Sequence, residues 1–389
     1  MFSIKRLLLT LLVISLSLQL LSDISFAGSG KRIGTAGALE LLIPVGSKGA
    51  ALNGANQALS SGLDAIYWNP SGIARSSAQS EVMFSRLNYI ADIDITYLAA
   101  MVRFQGIGVF AFSLRNLDFG DIAVTTEEQT DGTGEFFSPT YITAGLSFSK
   151  IMTDRIAFGM TGKIISESIM RESAKGFALD IGVQYSSGKG GYRLGVVLKN
   201  LGPNMKFDGP DLEEKHQPTN TEPETGPEPR RIVIQSFELP STLELGVGYE
   251  FSLGEQNSLE LSGDFVNNNF SLDEFKFGAE YSLNDIVFIR GGYNFGLRSD
   301  PTSREKFTDS NNNGVWDVGE NFVDENRNGI WDDDEGTFTV SSESYLWGPS
   351  IGAGLKYDVS PDMTLSFDYA YQTADIFENN QWFTLTISF

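Results

Sequence analysis

Strict alternation of apolar and polar residues is the feature that most limits the folds open to this chain. In residues 363–371, MTLSFDYAY, every second residue is large and apolar, and residues 243–251, LELGVGYEF, repeat the pattern. Successive side chains of a β-strand point to opposite faces, so each segment predicts a strand with one apolar face. A soluble sandwich would bury that face, whereas an outer-membrane barrel would turn it towards lipid. The alternation alone predicts an all-β fold and leaves both architectures open.

Three further features favour the membrane barrel. The chain ends inside an alternating strand, QWFTLTISF, whose last residue is Phe389. Predicted connections alternate between tight turns and mostly longer loops, as in bacterial barrels. Aromatic residues recur near strand ends, where such barrels have interfacial girdles, at Tyr89, Tyr97, Tyr141, Tyr185, Tyr192, Tyr249, Tyr281, Tyr357 and Trp382. We therefore predict a transmembrane antiparallel β-barrel of about 14 strands with both ends on the short-turn, periplasmic side.

The strand positions follow from the same alternation. We place them at residues 81–88, 95–104, 107–118, 140–150, 155–166, 176–186, 191–201, 241–252, 258–267, 275–283, 286–298, 345–358, 363–373 and 381–389. The long connections include 202–240, which is rich in Pro, Glu and Thr and is expected to be mobile, and 299–344.

The N-terminus predicts export. Lys5 and Arg6 precede an apolar run over residues 7–21, and Ser25 to Ala27 form a small-x-small cleavage site, so residues 1–27 read as a signal peptide. The apolar run is shorter than the roughly 20 residues that a membrane-spanning helix needs. The chain has no cysteine, which suits a Gram-negative envelope protein as well as a secreted one. We expect the outer membrane of a Gram-negative bacterium, with its lipid as the surrounding partner.

Composition excludes two classes of function. The net charge of −22 argues against nucleic acid as a partner, because phosphates require a basic surface. The single histidine, His216, lies in the long polar connection without a serine or cysteine arrangement beside it. A solvated loop residue is the expectation there, so we predict no catalytic residues and no enzyme.

Residues 309–335 hold two complete copies of a calcium-loop pattern. Its positions are filled by Asp309, Asn311, Asn313, Gly314 and Glu320 in the first copy, and by Asp324, Asn326, Asn328, Gly329 and Glu335 in the second. The carbonyls of Val315 and Ile330 and the side chains of Asp317 and Asp332 occupy the remaining ligand positions. A solvated acidic loop is the alternative. We predict two Ca²⁺ ions that order an extracellular loop.

The flanks of this segment lack a helical period, so the pair resembles the tandem calcium repeats of dockerins more than a sensor protein. Trp316 and Trp331 hold equivalent positions in the two copies and are expected to pack near each other.

Residues 46–72 precede the first strand and are rich in Gly and Ala. One side of a short helix could carry Ala50, Ala51, Ala55, Ala58 and Leu59. Small side chains suit a helix inside a confined lumen, although composition fits a small soluble helical cap equally well. The Asn69-Pro70 pair then predicts a turn that reverses the chain into the first strand.

The stretch DAIYWNPSGIA, residues 64–74, resembles the N-terminal hatch of the FadL-type transporter superfamily, especially its PorV/PorQ branch. Five positions match the pattern of that branch, Asp64, Trp68, Asn69, Pro70 and Gly72, while Ser71 stands where Ala is usual. The resemblance implies a lumenal hatch over residues 28–80 and an outer-membrane barrel over 81–389. The calcium segment is not part of the family pattern and looks like an insertion.

Phe389 resembles the assembly signal of outer-membrane proteins. Membership of the PorV branch implies a non-enzymatic component of type IX secretion and cell-surface attachment. Its partners would be secretion-system subunits or cargo proteins, which it receives by their C-terminal domains. The alternative is a FadL-like channel for hydrophobic small molecules.

Overall fold

The computed structural model describes residues 35–188, 190–216, 228–254, 256–300, 307–308, 310, 316–323, 331, 337–340, 347–375 and 377–389. The predicted signal peptide and the first residues of the predicted hatch, up to residue 34, lie outside them. None of the helices in these ranges has the length and apolar character needed to cross a membrane.

The strands dominate the described residues. In chain order they are β1 (Ser80–Asn88), β2 (Asp94–Phe104), β3 (Gly108–Asp118), β4 (Ile122–Ala123), β5 (Phe136–Phe137), β6 (Thr140–Ile151), β7 (Ile156–Ile169), β8 (Glu172–Ser186), β9 (Tyr192–Leu201), β10 (Phe207–Asp208), β11 (Glu213–His216), β12 (Glu228–Arg231), β13 (Thr242–Ser252), β14 (Ser258–Asn268), β15 (Asp273–Leu283), β16 (Val287–Asp300), β17 (Thr337–Val340), β18 (Trp347–Ser360), β19 (Met363–Ala374) and β20 (Asn380–Ser388). β4, β5, β10, β11, β12 and β17 are short strands of the loops.

The remaining 14 strands form a closed antiparallel barrel. Together with the short β10 and β17 they make up one 16-stranded sheet. The first strand pairs with the last, from Glu81 opposite Ser388 to Asn88 opposite Gln381. Tight turns join the strands at one end, for example at residues 105–107 and 361–362. This confirms the predicted fold class, and in bacterial barrels the short-turn end is the periplasmic one.

The outer face of the barrel is apolar, as predicted. On β13, Leu243, Leu245 and Val247 are exposed, whereas Glu244 between them is buried on the inner face. Lipid accepts the apolar side chains, and the lumen accepts the charged one.

Several aromatic residues of the predicted girdle point inwards instead, among them Tyr97 and Trp382. Tyr97 and Trp382 are buried, and the Trp382 indole Nε1 donates to the carbonyl of Pro44 at 3.1 Å. Trp382 alternates with the outward Phe383, so the period of the strand turns it into the lumen. Tyr192, Tyr249 and Tyr357 are exposed on the outer side.

The segment before the barrel is mostly turns, with helices α1 (Ser47–Ala51) and α2 (Ala65–Trp68). The expected helix through Leu59 is wrong, because α1 ends at Ala51. Asn53 and Gly54 have φ of 53° and 83°, and left-handed residues end an α-helix. 3₁₀ turns cover Leu39–Leu42, Gly62–Asp64 and Pro70–Arg75.

Residues 46–75, here called the inner segment, lie inside the ring of strands. The inner segment hydrogen-bonds to strands on different sides of the barrel, through Ser47 to Thr384 of β20, Gln57 to Asp264 of β14, Asn69 to Val183 of β8 and Ala74 to Ser149 of β6. These partners are inward-facing side chains or backbone groups of the wall.

The long loops extend from the opposite end, which in bacterial barrels faces the cell exterior. In the connection expected to be mobile, β11 and β12 pair as a hairpin, and the Arg231 guanidinium forms an ion pair with Asp208 near its base. His216 belongs to β11. Residues 217–227 lie outside the described part.

A charge on the outer face tests the barrel directly. Val247 is 57% exposed at the middle of β13, so Val247→Lys should lower the free energy of unfolding in lipid vesicles by about 2–4 kcal/mol. The control Leu253→Lys, in the turn after β13, should cost about 0–1 kcal/mol because the charge reaches the interface. Chemical unfolding of both variants measures this, and equal costs would contradict the lipid-facing assignment.

Candidate functional site

Asn69 is the centre of the predicted hatch motif. Its side-chain Oδ1 accepts hydrogen bonds from the Ser71 backbone N at 3.2 Å and from the Ser71 hydroxyl at 2.7 Å, which caps the turn that Pro70 begins. Its Nδ2 donates to the carbonyls of Gln57 and Val183 at 3.0 and 3.3 Å. Asn69 therefore joins two parts of the inner segment to the wall. Ser71, the departure from the family pattern, adds a bond that Ala could not make.

Gly72 and Trp68 occupy tightly packed positions. A Cβ on Gly72 would lie 2.2 Å from the Ser60 carbonyl oxygen, so the backbone approaches too closely for a side chain. The Trp68 ring packs edge-on against Tyr67, with ring centroids 4.8 Å apart, and it covers Gly49. Both motif residues therefore have packing roles.

Asp64 is buried in the inner segment, outside the membrane-spanning strands. Burial raises its pKa to about 7, against the opposing effects of Lys48 and of a hydrogen bond from Asn56. The Asn56 Nδ2 donates to Asp64 Oδ2 at 2.8 Å. The other oxygen packs against Gly46. The contacts of the five motif residues are thus hydrogen bonds and packing contacts that shape the inner segment.

No sequence pattern points to Gln57, which is fully buried and hydrogen-bonded on several sides. Its backbone N donates to Asp264 Oδ2 at 2.9 Å, and its side-chain amide donates to Glu244. Its carbonyl accepts from Gln184 Nε2 at 3.0 Å. These partners lie on β14, β13 and β8, far from Gln57 in the chain.

Charged side chains form ion pairs within the lumen. Arg290 binds Glu280 and, at 2.5 Å, Asp368, and Lys48 of the inner segment lies 3.6 Å from Glu280. Such pairing is the usual way in which a buried charge is tolerated.

A cavity of about 650 Å³ lies in the extracellular half of the lumen. Leu42, Pro44, Tyr89, Trp347 and Trp382 contribute its apolar lining, and Lys199, Glu244, Glu274 and Lys276 its charges. Each lysine is paired, Lys199 with Glu244 at 3.2 Å and Lys276 with Glu274 at 3.0 Å. The cavity therefore combines aromatic walls with neutralised charge.

A second cavity, of about 610 Å³, lies in the periplasmic half. It is lined by the charged residues Lys48, Asp64, Arg290 and Lys356 and by Phe389. The assembly role implied for Phe389 stays a prediction. The backbone of Phe389 bonds to that of Ser80 at the closing seam.

Of the 12 predicted calcium ligands, only Asp317 and Glu320 lie in the described residues. The Glu320 carboxylate accepts from the backbone N of Ser310 at 2.7 Å and of Asp317 at 3.1 Å. Asp309, Asn311, Asn313, Val315, Asp324, Asn326, Asn328, Ile330, Asp332 and Glu335 lie outside them. The described residues contain no group of three or more His, Cys, Asp or Glu arranged for a metal ion.

Trp316 and Trp331 stack with ring centroids 5.4 Å apart, which confirms the expected packing of these two rings. Phe307 and Phe322 form an antiparallel β-bridge beside them.

Comparison with known proteins gives one family match. The family described as "Type IX secretion system protein PorV" matches residues 26–227. No curated protein sequence matches significantly.

Solved structures of low sequence identity share the fold. The toluene transporter TodX of P. putida is similar with a TM-score of 0.52 and 12% identity, over 88% of this chain and 98% of that chain. The Ralstonia pickettii toluene transporter TbuX is similar with a TM-score of 0.51 and 12% identity, over the same shares.

Proposed function

The chain belongs to the PorV family of type IX secretion system proteins, and we propose that it binds cargo proteins through the extracellular loops of the barrel. It is an outer-membrane barrel of the type IX secretion machinery in a Gram-negative bacterium. The family is non-enzymatic. The binding of cargo and its place on the barrel are the proposed part.

Exposed apolar side chains on the extracellular loops carry this proposal. Phe136 of β5 is 65% exposed and Val233, next to β12, is 85% exposed. Two neighbouring residues are exposed as well. Ile122 of β4 pairs with Phe137, which follows Phe136, and Ile232 precedes Val233 in the chain. Lipid cannot cover loops that extend beyond the barrel, and a patch of exposed apolar groups outside lipid is typical of a protein interaction site.

The charge of the loop that carries Phe136 indicates what the partner carries. Residues 119–139 contain five carboxylates and no basic residue, namely Asp121, Glu127, Glu128, Asp131 and Glu135. Complementary charge speeds association and selects partners. We therefore expect basic groups around an apolar patch on the docking face of the cargo.

Replacing Phe136 and Val233, two strongly exposed residues of these loops, tests this role. A Phe136→Ser/Val233→Ser variant should reduce cargo at the cell surface on the order of tenfold, because removing apolar anchors weakens binding by that order. Surface biotinylation of intact cells measures the attached proteins, and cargo should accumulate in the periplasm.

The matched control is Val359→Ser, which removes an exposed apolar residue at the periplasmic end of β18. Wild-type attachment in the double variant, at equal barrel abundance, would exclude these loops. Normal attachment in a strain that lacks the protein would exclude the cargo role itself.

The extracellular cavity supports a second candidate function, binding of hydrophobic small molecules. Pockets of roughly 300–1,000 Å³ with aromatic walls and few polar groups bind such ligands. The Oδ1 atoms of Asn294 and Asn380, both in the lining, have no hydrogen-bond partner in the described part of the chain. An apolar ligand with one polar group fits this lining best.

Binding of N-phenyl-1-naphthylamine tests the second candidate. The wild-type protein in nanodiscs should give a saturable fluorescence increase, and Leu42→Arg should abolish it by filling the cavity. Leu253→Arg, in a periplasmic turn, is the matched control and should bind normally. The candidate fails if the wild type shows no saturation or if Leu42→Arg binds equally.

We also propose that residues 309–335 bind two Ca²⁺ ions. The two complete sequence motifs are the main support. The stacked pair Trp316 and Trp331 and the bridged pair Phe307 and Phe322 each join residues 15 apart, which is the spacing of the motif copies. Such an arrangement suits two loops that pack as a pair. Weak affinity, typical of extracellular modules, suffices outside the cell.

Calcium titration with tryptophan fluorescence tests the metal proposal. A saturable change should appear below several millimolar Ca²⁺, together with protection of residues 299–344 from protease. Glu320→Gln/Glu335→Gln should remove both effects, because the last Glu of each loop chelates the ion with two oxygens. Glu325→Gln removes a charge at a position that supplies no ligand and should respond normally. An equal response in all variants would leave only an acidic loop.

A further inference from the structure

The inner segment is fitted against glycines of the barrel wall. A Cβ at Gly159 of β7 would lie 2.2 Å from the Pro70 carbonyl carbon, and one at Gly195 of β9 would lie 2.3 Å from the Gln57 oxygen. A Cβ at Gly292 of β16 would meet the Leu52 backbone at 2.2 Å, and one at Gly182, Gly246, Gly248 or Gly352 would lie less than 3 Å from side-chain atoms of the inner segment. The inner segment thus packs directly on the wall over strands from β7 to β18, through its backbone at three of these glycines and through its side chains at the other four.

The other side of the inner segment packs into an apolar cluster. Ile66 and Ile73 lie there against Met83, Met101 and Val109 of the first strands. All five side chains are buried. Glycine contacts on one side and this cluster on the other hold the inner segment between opposite parts of the wall.

Polar bonds fix its two ends and its middle. Ser47 at the start bonds to Thr384 through backbone and hydroxyl, at 2.9 and 2.7 Å. Gln57 in the middle bonds to three strands, as described above. At the end, the Ala74 backbone N donates to Ser149 Oγ at 3.2 Å.

The two cavities end at the inner segment from opposite sides. Among the residues described, none lines both cavities. The inner segment therefore lies across the direct path between these two cavities, held there by its glycine contacts, its apolar cluster and its wall bonds.

We propose that the inner segment is a fixed structural core of the barrel and that no substrate passes through the lumen. The protein then acts as a receptor at its extracellular face, and a small molecule in the upper cavity binds there without crossing. The cellular test below rests on the proposed secretion role, whereas the solute-flux and unfolding tests do not.

A disulfide lock tests whether the inner segment moves. The chain has no native cysteine, and the Ser47 Oγ and Thr384 Oγ1 atoms are 2.7 Å apart, so Ser47→Cys/Thr384→Cys can form a disulfide in the oxidising envelope. The oxidised pair should attach cargo at the level of each single-cysteine variant. Loss of attachment on oxidation that is restored by a reductant would overturn the proposal.

Solute flux gives a readout that is independent of secretion. Proteoliposomes with wild-type or locked protein should show the same arabinose entry as empty liposomes, with a general porin as the positive control. Wild-type entry that disappears on oxidation would show a moving gate and overturn the proposal. If a strain without the protein attaches cargo normally, the secretion role fails while the flux result still decides this inference.

A pair of glycine variants tests the contact between the inner segment and the wall. Gly159→Ala should lower the thermal unfolding temperature of the barrel, because the added Cβ meets the Pro70 backbone. Gly162→Ala, on the same strand, is the control. Its added Cβ would lie 3.6 Å from the outward Phe177 ring, which is an ordinary contact, so this variant should match the wild type. A Gly159→Ala barrel that keeps its stability and gains arabinose permeability would show a segment that detaches freely.

Discussion

Every backbone N–H and C=O group in a bilayer must find its partner inside the protein, because lipid offers none. Pairing of β1 with β20, from Glu81 to Asn88, meets this requirement by removing the last free edge. Closure then determines the environment of each strand face. The period of two sends one face of each strand into lipid and the other into a lumen, and the lumen holds the inner segment and paired charges such as Arg290 with Asp368.

The sequence alone predicts the strands of the barrel but not the contacts inside the lumen. Strand positions came within a few residues of those observed, because alternation is a local property. The role of Gln57 was invisible, since its partners Glu244, Asp264 and Gln184 are brought near only by closure. The girdle prediction is wrong for Trp382 for a related reason. An aromatic residue near a strand end fits either face of the strand, and only the alternation of its neighbours decides which face it occupies. The calcium motif is visible in the sequence, while most of its residues lie outside the described ranges.

Function on this account belongs to the ends of the barrel and to its surface. The wall and the inner segment form one rigid body, and the extracellular loops present apolar residues such as Phe136, which lies in an acidic loop, and Val233. A calcium module in the loop between β16 and β18 would order part of that face without changing the strands, because the strands keep their own ladders. Family membership and loop chemistry point to the same end of the molecule.

Hydrogen–deuterium exchange of the protein in nanodiscs tests most directly whether wall and inner segment are one unit. Amides exchange as slowly as the structural unit that contains them unfolds. We predict that amides of residues 46–75, including that of Gln57, exchange as slowly as those of β13 and β14, while residues 119–139 exchange quickly. Rapid exchange of the inner segment beside slow exchange of the strands would contradict the account.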